Sequence, residues 1–364
     1  MHSILSPSSA HIWKHCAAYP TMSRKYPWEE SEAAKEGTAA HWVAWEIFFG
    51  RPVSIDDLTP NGMAVSQEML DSAELFIGML LSIAPQESWN IEQPVDIFDD
   101  LQCFGTPDAW AYIETTNTLT IADYKFGHRF VEEFENDQCV LYVKGIMDML
   151  DIVDDQTLNV DIIIVQPRCY YRGEPVRTWH FKGSDIRGQI NMLRMAGERA
   201  LDIDPKATTN PGCGVCLARH DCPALQKATY ADVETSTCST PINITAQAAA
   251  IELKMLERAQ QRMQARIDGL STFVLSQVKS GQRVPHYQLS QSYGNRKWSL
   301  DDKTVISVGD AFGHNLRKTG VVTPSQAIKL GIDEAVIKEY SVVPMGELKL
   351  TPSPDPRKIF SGVK

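Results

Sequence analysis

The chain has 364 residues, of which 43% are hydrophobic and 22% charged, values typical of a globular protein and unlike those of a disordered one. No apolar run approaches the ~20 residues of a membrane-spanning helix, and the N-terminus shows no secretion signal, so we expect a cytoplasmic protein without membrane association. Residues 1–241 hold 18 Lys and Arg against 35 Asp and Glu, whereas residues 242–364 hold 17 against 11. An acidic body argues against binding of nucleic acid by bulk electrostatics alone and is compatible with a carboxylate site for metal ions.

The hydrophobic pattern predicts helices and strands in an order typical of the α/β class. Ser6-Pro7 predicts the start of a first helix that carries Trp13 and Cys16. The other predicted helices of this part cover residues 31–49, 64–83, 136–150 and 185–200, and the predicted strands cover residues 89–98, 104–113, 118–126, 160–166 and 177–181. We therefore expect a mixed central sheet flanked by helices.

The C-terminal part is predicted to be an appended, mainly helical region. A polar linker is predicted at residues 229–242 and a long helix at residues 245–279. The apolar residues of this helix at heptad-like spacing are Leu256, Met263, Ile267, Leu270 and Val274. Such a stripe is typical of a packing face, and it leaves open a face that binds a partner or a second copy. The remaining predictions are a hairpin at Tyr287–Trp298, a short helix after Thr323-Pro324 and a Pro-rich end at residues 351–356.

Two aspartates fall on neighbouring predicted strands. Asp108 follows Gly105-Thr106-Pro107, and Asp123 comes fifteen residues later. The turn between the strands lets the two aspartates lie side by side, and Lys125, two residues after Asp123, projects to the same face. Adjacent carboxylates suit Mg²⁺ or Mn²⁺, and a neighbouring lysine can polarise an attacking water and stabilise charge on a phosphate. Phosphodiester hydrolysis needs these elements, although an Asp-x-Lys pair alone is also common on solvated strand faces.

Two further motifs accompany the aspartates. His41 ends the run Glu36-Gly37-Thr38-Ala39-Ala40-His41 on a predicted helix, and Gln138 and Tyr142 share one face of a later helix because they are four residues apart. Each motif standing alone would more often be an ordinary helix residue than part of a site.

The eight cysteines divide into two groups. Four stand in apolar or strand-like stretches, where small buried hydrophobes are expected. These are Cys103, Cys139, Cys169 and Cys238. Cys213, Cys216 and Cys222 have the spacing Cys-x₂-Cys-x₅-Cys in a Gly- and Pro-rich segment, which is typical of metal ligands, and Cys16 is the candidate fourth ligand. Spacing leaves both an iron–sulfur cluster and Zn²⁺ open, and the Cys222-Pro223 pair favours the cluster.

Four motifs, in their order along the chain, resemble those of the RecB-like branch of the PD-(D/E)XK nuclease superfamily. They are His41, Asp108, Asp123-x-Lys125 and Gln138-x₃-Tyr142. One cysteine before that core and three after it resemble its iron–sulfur subgroup, which includes CRISPR-associated exonucleases and nuclease domains of helicase–nuclease repair complexes. The resemblance covers about residues 1–225, and the size and the appended region are similar to those of phage or prophage relatives.

The resemblance implies a restriction-endonuclease-like fold for residues 1–228 and roles for the matching residues. The implied ligands of Mg²⁺ or Mn²⁺ are His41, Asp108 and Asp123. The implied catalytic residues are Asp108, Asp123, Lys125, Gln138 and Tyr142. Of these, Lys125 is the catalytic lysine, and Gln138 and Tyr142 orient the scissile phosphate or neighbouring DNA. The implied ligands of a [4Fe–4S] cluster are Cys16, Cys213, Cys216 and Cys222, with Zn²⁺ as the alternative. Glu92 is a weaker candidate for an acidic residue that the family often places on the preceding strand.

The activity that the resemblance implies is a metal-dependent DNA exonuclease in phage recombination or DNA processing, acting on DNA ends or single strands in the host cytoplasm. The sequence holds no Gly-x₄-Gly-Lys-Ser/Thr phosphate loop, so unwinding would come from a partner, such as a recombination or single-strand-binding protein. The first alternative is a catalytically weak DNA-binding or scaffolding protein of a recombination complex. The second is an interaction module that forms a homo-oligomer or binds a partner through the long helix.

The region 243–364 is expected to bind DNA or a partner. Arg296, Lys297 and Trp298 beside Tyr293 combine charge and aromatic surface, as single-strand contacts do. A solvated hairpin with one packing tryptophan is an equal alternative.

Overall fold

The computed structural model describes residues 3–27, 30–153, 155–169, 174–235, 245–294, 296–318, 320–321 and 323–352. The chain divides into two compact units, Met1–Ile267 and Asp268–Lys364. The domain boundaries predicted at residues 228 and 243 stay predictions. No helix in the described ranges is both long and apolar enough to cross a membrane.

Among the described residues, seven helices lie within the first unit, and an eighth crosses its boundary. They are α1 (Ala10–Trp13), α2 (Tyr19–Ser23), α3 (Glu32–Phe48), α4 (Gln67–Ile83), α5 (Asp137–Met149), α6 (Arg187–Ala200), α7 (Pro223–Thr235) and α8 (Ala246–Lys279). Ser31 and Ser66 cap α3 and α4, because each side-chain oxygen accepts a hydrogen bond from an amide three residues on. The predicted helices at 31–49, 136–150, 185–200 and 245–279 are confirmed, and the one predicted at 64–83 begins three residues later.

The N-terminal helix is shorter than predicted. A 3₁₀ turn at Pro7–Ser9 precedes α1, which ends at Trp13, so Cys16 lies after the helix. The Ser6 hydroxyl bonds the Ser8 hydroxyl and caps no amide, whereas the Ser6 carbonyl accepts a hydrogen bond from Trp13 Nε1 at 3.0 Å.

The first unit contains a five-stranded mixed sheet, as predicted. The sheet consists of β1 (Asn90–Ile91), β4 (Ala109–Ile113), β5 (Thr118–Tyr124), β6 (Asn159–Val165) and β7 (Val176–Lys182). Two further strands, β2 (Val95–Phe98) and β3 (Cys103–Gly105), form a separate pair. The sheet order is β1-β4-β5-β6-β7, in which β5 and β6 are parallel and the other neighbours antiparallel, while β2 pairs with β3 alone.

Two predicted strands are each divided. The strand predicted at 89–98 is interrupted at Glu92, whose φ of +46° is left-handed, and the strand predicted at 104–113 is interrupted at Thr106-Pro107. Proline has no amide hydrogen for a strand ladder, and a left-handed residue turns the chain out of the extended direction.

Helices cover both faces of the sheet. Leu119 and Ile121 of β5 belong to a core shared with α1, α5 and α6, whereas Ala122 and Tyr124 belong to a core shared with α3 and α4. Because successive strand residues face opposite sides, Asp123 lies on the α5 side. Cys103, Cys139 and Cys169 are buried as predicted, and Cys238 lies outside the described residues.

Part of the predicted linker is helical, and the predicted packing stripe needs correction. Residues 229–235 of the linker belong to α7, and residues 236–244 lie outside the described residues. On α8, Leu256, Ile267 and Leu270 are 59%, 55% and 40% exposed, so these members of the stripe do not form a buried packing face within this chain.

The second unit is small and mixed. Its remaining elements are β8 (Tyr287–Tyr293), β9 (Lys297–Trp298), α9 (Asp302–Ala311), β10 (Arg317–Lys318), β11 (Gly320–Val321), α10 (Pro324–Lys329), α11 (Glu334–Tyr340), β12 (Ser341–Val342) and β13 (Met345–Pro352). The helix after Thr323-Pro324 is confirmed, with Thr323 and Gln326 capping each other. Of the predicted Pro-rich end, Thr351 and Pro352 belong to β13, and residues 353–356 lie outside the described residues.

The hairpin predicted at Tyr287–Trp298 is wrong. β8 pairs with β13, and β9 pairs with β12. Trp298 packs against a small core around Val305, and Arg296 forms an ion pair with Glu334 at 3.5 Å. These contacts favour the alternative of a packing tryptophan over a single-strand contact.

Candidate active site

The antiparallel register of β4 and β5 brings the two aspartates together. Ala109 and Ala122 are partners, Asp108 directly precedes Ala109, and Asp123 directly follows Ala122. The amide of Tyr124 donates a hydrogen bond to Asp108 Oδ2 at 2.8 Å, which fixes this carboxylate against the end of β5. The predicted pairing of the two carboxylates on neighbouring strands is therefore present in the fold.

Lys125 forms an ion pair with Asp123. Its Nζ lies 2.9 Å from both carboxylate oxygens and donates a hydrogen bond to Oδ1, while Oδ2, which is buried, has no hydrogen-bond partner among the described residues. Burial raises the pKa of Asp123, as does the nearby charge of Asp108, against the opposing effect of Lys125. Burial alone would lower the pKa of Lys125, but the two carboxylates outweigh it and raise that pKa, so the ammonium stays charged.

His41 reaches the site from α3. Its Nε2 lies 2.9 Å from the carbonyl oxygen of Tyr124, and its Nδ1 lies 3.6 Å from Asp108 Oδ1. A carbonyl oxygen only accepts hydrogen bonds, so Nε2 carries a hydrogen, and in the neutral ring Nδ1 turns its lone pair toward the carboxylate. This is the orientation of a histidine that binds a metal through one nitrogen and the backbone through the other.

Gln138 and Tyr142 lie on the first turns of α5, which Asn136 caps by accepting hydrogen bonds from two amides. Gln138 Nε2 donates a hydrogen bond to the Tyr142 hydroxyl at 3.3 Å. Burial raises the pKa of Tyr142, and the charges of Asp123 and Asp108 raise it further, which places the hydroxyl within the field of the carboxylates. Gly105 lets the ring lie close, because a Cβ there would be 2.9 Å from Tyr142 Cε1.

Two clefts are lined by residues that lie beside the two aspartates. Lys125 and Gln138 line one of about 470 Å³ together with His11, Arg129 and Phe130. His41 lines the other, of about 400 Å³, together with Trp42 and Glu92. Glu92 accepts a hydrogen bond from Trp45 Nε1 at 2.7 Å, and its amide donates one to the Asp108 carbonyl at 3.0 Å, so this weaker candidate stands beside the site.

Two residues that shape the first cleft, Gln166 and Arg177, were not predicted from the sequence. Gln166 is fully buried at the end of β6, and its Nε2 donates hydrogen bonds to the carbonyls of Gly127 and Arg129. Its Oε1 accepts hydrogen bonds from the Val131 amide and from Arg177 Nη2. These bonds fix the segment 127–131 along the cleft. The signal in the sequence is a polar residue that ends an otherwise apolar buried strand.

The four cysteines of the candidate cluster site converge. Cys16, Cys213, Cys216 and Cys222 all line one small cavity of about 20 Å³. The segment before Cys213 is tied to the N-terminal segment, because Ala18 donates a hydrogen bond to the Lys206 carbonyl and Thr208 donates one to the His15 carbonyl. Burial raises the pKa of both Cys213 and Cys216.

Neither the group of Asp108, Asp123 and His41 nor the group of four cysteines forms a complete coordination shell. Throughout the part of the chain that the structure describes, no group of three or more His, Cys, Asp or Glu side chains is arranged to hold a metal ion. The donor chemistry fits all the same: two carboxylates with a buried unbonded oxygen beside an imidazole suit a hard divalent cation, and four thiols on one cavity suit iron or zinc.

Comparison with protein families gives a match that extends over residues 2–358. The matching family is described as a protein of unknown function (DUF2800).

Proposed function

This chain belongs to the DUF2800 family, and we propose that it is a metal-dependent DNA exonuclease of the RecB-like PD-(D/E)XK type that acts in phage recombination or DNA processing. The observation that carries the proposal is the convergence of Asp108, Asp123 and Lys125 where β4 begins and β5 ends, with His41 beside Asp108. DNA ends or single strands would enter through the clefts that border these residues. The proposal places the reaction in the host cytoplasm.

Asp108, Asp123 and His41 would hold Mg²⁺ or Mn²⁺. A bound divalent cation supplies Lewis-acid stabilisation of charge that develops on the phosphate. The buried Asp123 Oδ2 supports this assignment, because it lies 2.9 Å from Lys125 Nζ and has no hydrogen-bond partner among the described residues, which leaves a lone pair for a metal ion.

Lys125, Gln138 and Tyr142 would act directly on the substrate. The Lys125 ammonium orients a water and donates to a phosphate oxygen, and Gln138 and Tyr142 position the phosphate from the α5 side. In the hydrolysis, the water oxygen bonds to phosphorus and loses a proton, the P–O3′ bond breaks, and O3′ takes up a proton to leave as a 3′-hydroxyl, so the released piece carries a 5′-phosphate. Lys125 and Gln138 line the same cleft, which supports their acting on one phosphate.

Cys16, Cys213, Cys216 and Cys222 would hold a [4Fe–4S] cluster, with Zn²⁺ as the alternative occupant. Their shared cavity supports a common ligand for the four thiolates. The cluster or Zn²⁺ would have a structural role, because it would join the N-terminal segment to the segment that follows α6.

End-labelled single- and double-stranded DNA with Mn²⁺ or Mg²⁺ tests the activity. We expect the wild type to shorten DNA from an end, and the double variant Asp108→Ala/Lys125→Ala to be at least ~10³-fold slower, since it lacks a metal ligand and a charge donor. The matched control is Asp161→Ala/Lys144→Ala, which removes a strand aspartate paired with His180 and a lysine paired with Asp148. Its rate should stay within about twofold of the wild type.

A double variant that degrades DNA as fast as the wild type would overturn the proposal. A wild type that binds DNA and never cleaves it would also overturn it, in favour of a DNA-binding scaffold of a recombination complex.

A further inference from the structure

One largely buried arginine lies between the elements that carry the candidate metal ligands. Arg168 follows β6, and its side chain is 12% exposed. Its Nη1 donates hydrogen bonds to Glu36 Oε2 at 2.8 Å and to the Phe126 carbonyl at 3.4 Å. Its Nε lies 3.3 Å from Glu68 Oε1, and its guanidinium lies 4.4 Å from the centre of the Phe126 ring.

These contacts join three segments, of which two lead to the site. Glu36 stands on α3, five residues before His41, and Phe126 directly follows Lys125. Glu68 stands on α4, which packs beside α3. A planar guanidinium can hold a carboxylate and a carbonyl at once in a fixed geometry, whereas an ammonium on a flexible stem cannot.

We propose that Arg168 is a positioning residue that sets the separation between His41 and the two aspartates, and thereby the affinity of the site for a divalent cation. The inference rests on the proposed function, because it concerns the same site. Arg168 acts through Glu36 and the Phe126 backbone and touches no reacting atom. Residues that orient metal ligands from behind typically change metal affinity 10- to 100-fold when they are replaced.

Calorimetric titration with MnCl₂ alone tests the inference without reference to activity. We expect Arg168→Lys and Arg168→Gln to raise the Kd for Mn²⁺ about tenfold. Glu36→Gln removes one charge and keeps the side-chain volume, and we expect it to raise the Kd by a smaller factor. The matched control is Arg194→Gln on α6. Arg194 also pairs with two carboxylates, Asp100 and Glu198, and lies over the ring of Phe98, and these three partners stand on segments that carry no candidate metal ligand.

The readouts separate a positioning role from a structural one. We expect saturating Mn²⁺ to restore most of the DNA cleavage rate of the Arg168 variants, which a misfolded site would not allow. If the Kd of Arg168→Lys for Mn²⁺ is unchanged, this inference is wrong and the proposed function still stands. If the arginine variants fail to fold, an unchanged Kd in Glu36→Gln has the same meaning. A wild type that binds no Mn²⁺ would overturn the proposed function and this inference together.

Discussion

At the scale of single residues, the Asp123–Lys125 pair decides the electrostatics of the site. Taking a carboxylate out of water is costly unless a cation compensates for it, and Lys125 supplies that charge from a side chain that is 28% exposed. Lys125 Nζ lies 2.9 Å from Asp123 Oδ2, but a carboxylate oxygen has two lone pairs, so a second cation can still bind this oxygen. The lysine therefore both stabilises Asp123 and competes with a metal for it.

This competition predicts the behaviour of Lys125→Met. The variant leaves Asp123 buried without its ammonium, and we expect it to be less stable by about 1–3 kcal/mol. Addition of MnCl₂ should then raise its melting temperature more than that of the wild type, because the ion no longer competes with a lysine. Thermal unfolding with and without Mn²⁺ measures both effects.

Lys144→Met is the control for this prediction, since Lys144 pairs with Asp148 on the surface of α5. Its response to Mn²⁺ should equal that of the wild type. An equal response in Lys125→Met would mean that the lysine does not share Asp123 with a cation.

At the scale of elements, the cysteine cavity depends on a close approach between α1 and a short 3₁₀ turn at Pro211–Gly214. A Cβ on Gly212 would lie 2.7 Å from Ile12 Cγ1 and 2.8 Å from Asn210 Oδ1, whereas a Cβ on Gly214 would meet nothing within 4 Å. Gly212 therefore allows the turn that carries Cys213 to pack against the helix that precedes Cys16.

Gly212→Ala should push this turn away from α1 and separate Cys213 from Cys16. We expect the purified variant to hold about half or less of the iron of the wild type, because overpacking at a tight contact costs about 1–3 kcal/mol and displaces backbone. Metal and sulfide analysis after anaerobic purification measures it, with Gly214→Ala as the control that keeps the wild-type content. Equal metal content in the two variants would contradict the prediction.

The local pattern of the sequence predicts some elements well and others poorly. Helices α3 and α5 were predictable because apolar spacing and caps agree, as at Ser31 and Asn136. Pro107 signals in the sequence that the strand predicted at 104–113 is interrupted. Nothing in the sequence signals the left-handed backbone of Glu92 that interrupts the strand predicted at 89–98. The β8–β13 pairing joins strands that are far apart in the chain, and the sequence around Tyr287 shows only a strand and a nearby turn.

At the scale of the whole molecule, the same contrast applies to the site. Asp108, Asp123 and Lys125 could be placed together from the sequence because a short turn and the strand period fix their geometry. Gln166 and Arg177 could not, because their partners lie in a loop whose path only the tertiary fold determines. The Cys-x₂-Cys-x₅-Cys spacing indicated a metal site with Cys16 as the candidate fourth ligand, and in the fold all four cysteines line one cavity.

A ligand shared by Cys16 and the three later cysteines would close a loop that contains the whole central sheet. Closing a loop of this length restricts the unfolded chain by up to ~5 kcal/mol, and the measured value is commonly smaller. Removing the metal from the wild type should therefore lower the free energy of unfolding by about 2–5 kcal/mol.

Urea unfolding before and after treatment with ferricyanide and a chelator measures this loss. Cys16→Ser should already show the lower stability and respond little to the treatment, because the link to the N-terminal segment is gone. Cys169→Ser, which alters a buried cysteine that does not line the cavity, should lose as much stability on treatment as the wild type. If the treatment removes all metal from the wild type and its unfolding curve does not move, the four cysteines do not join the two ends of the first unit.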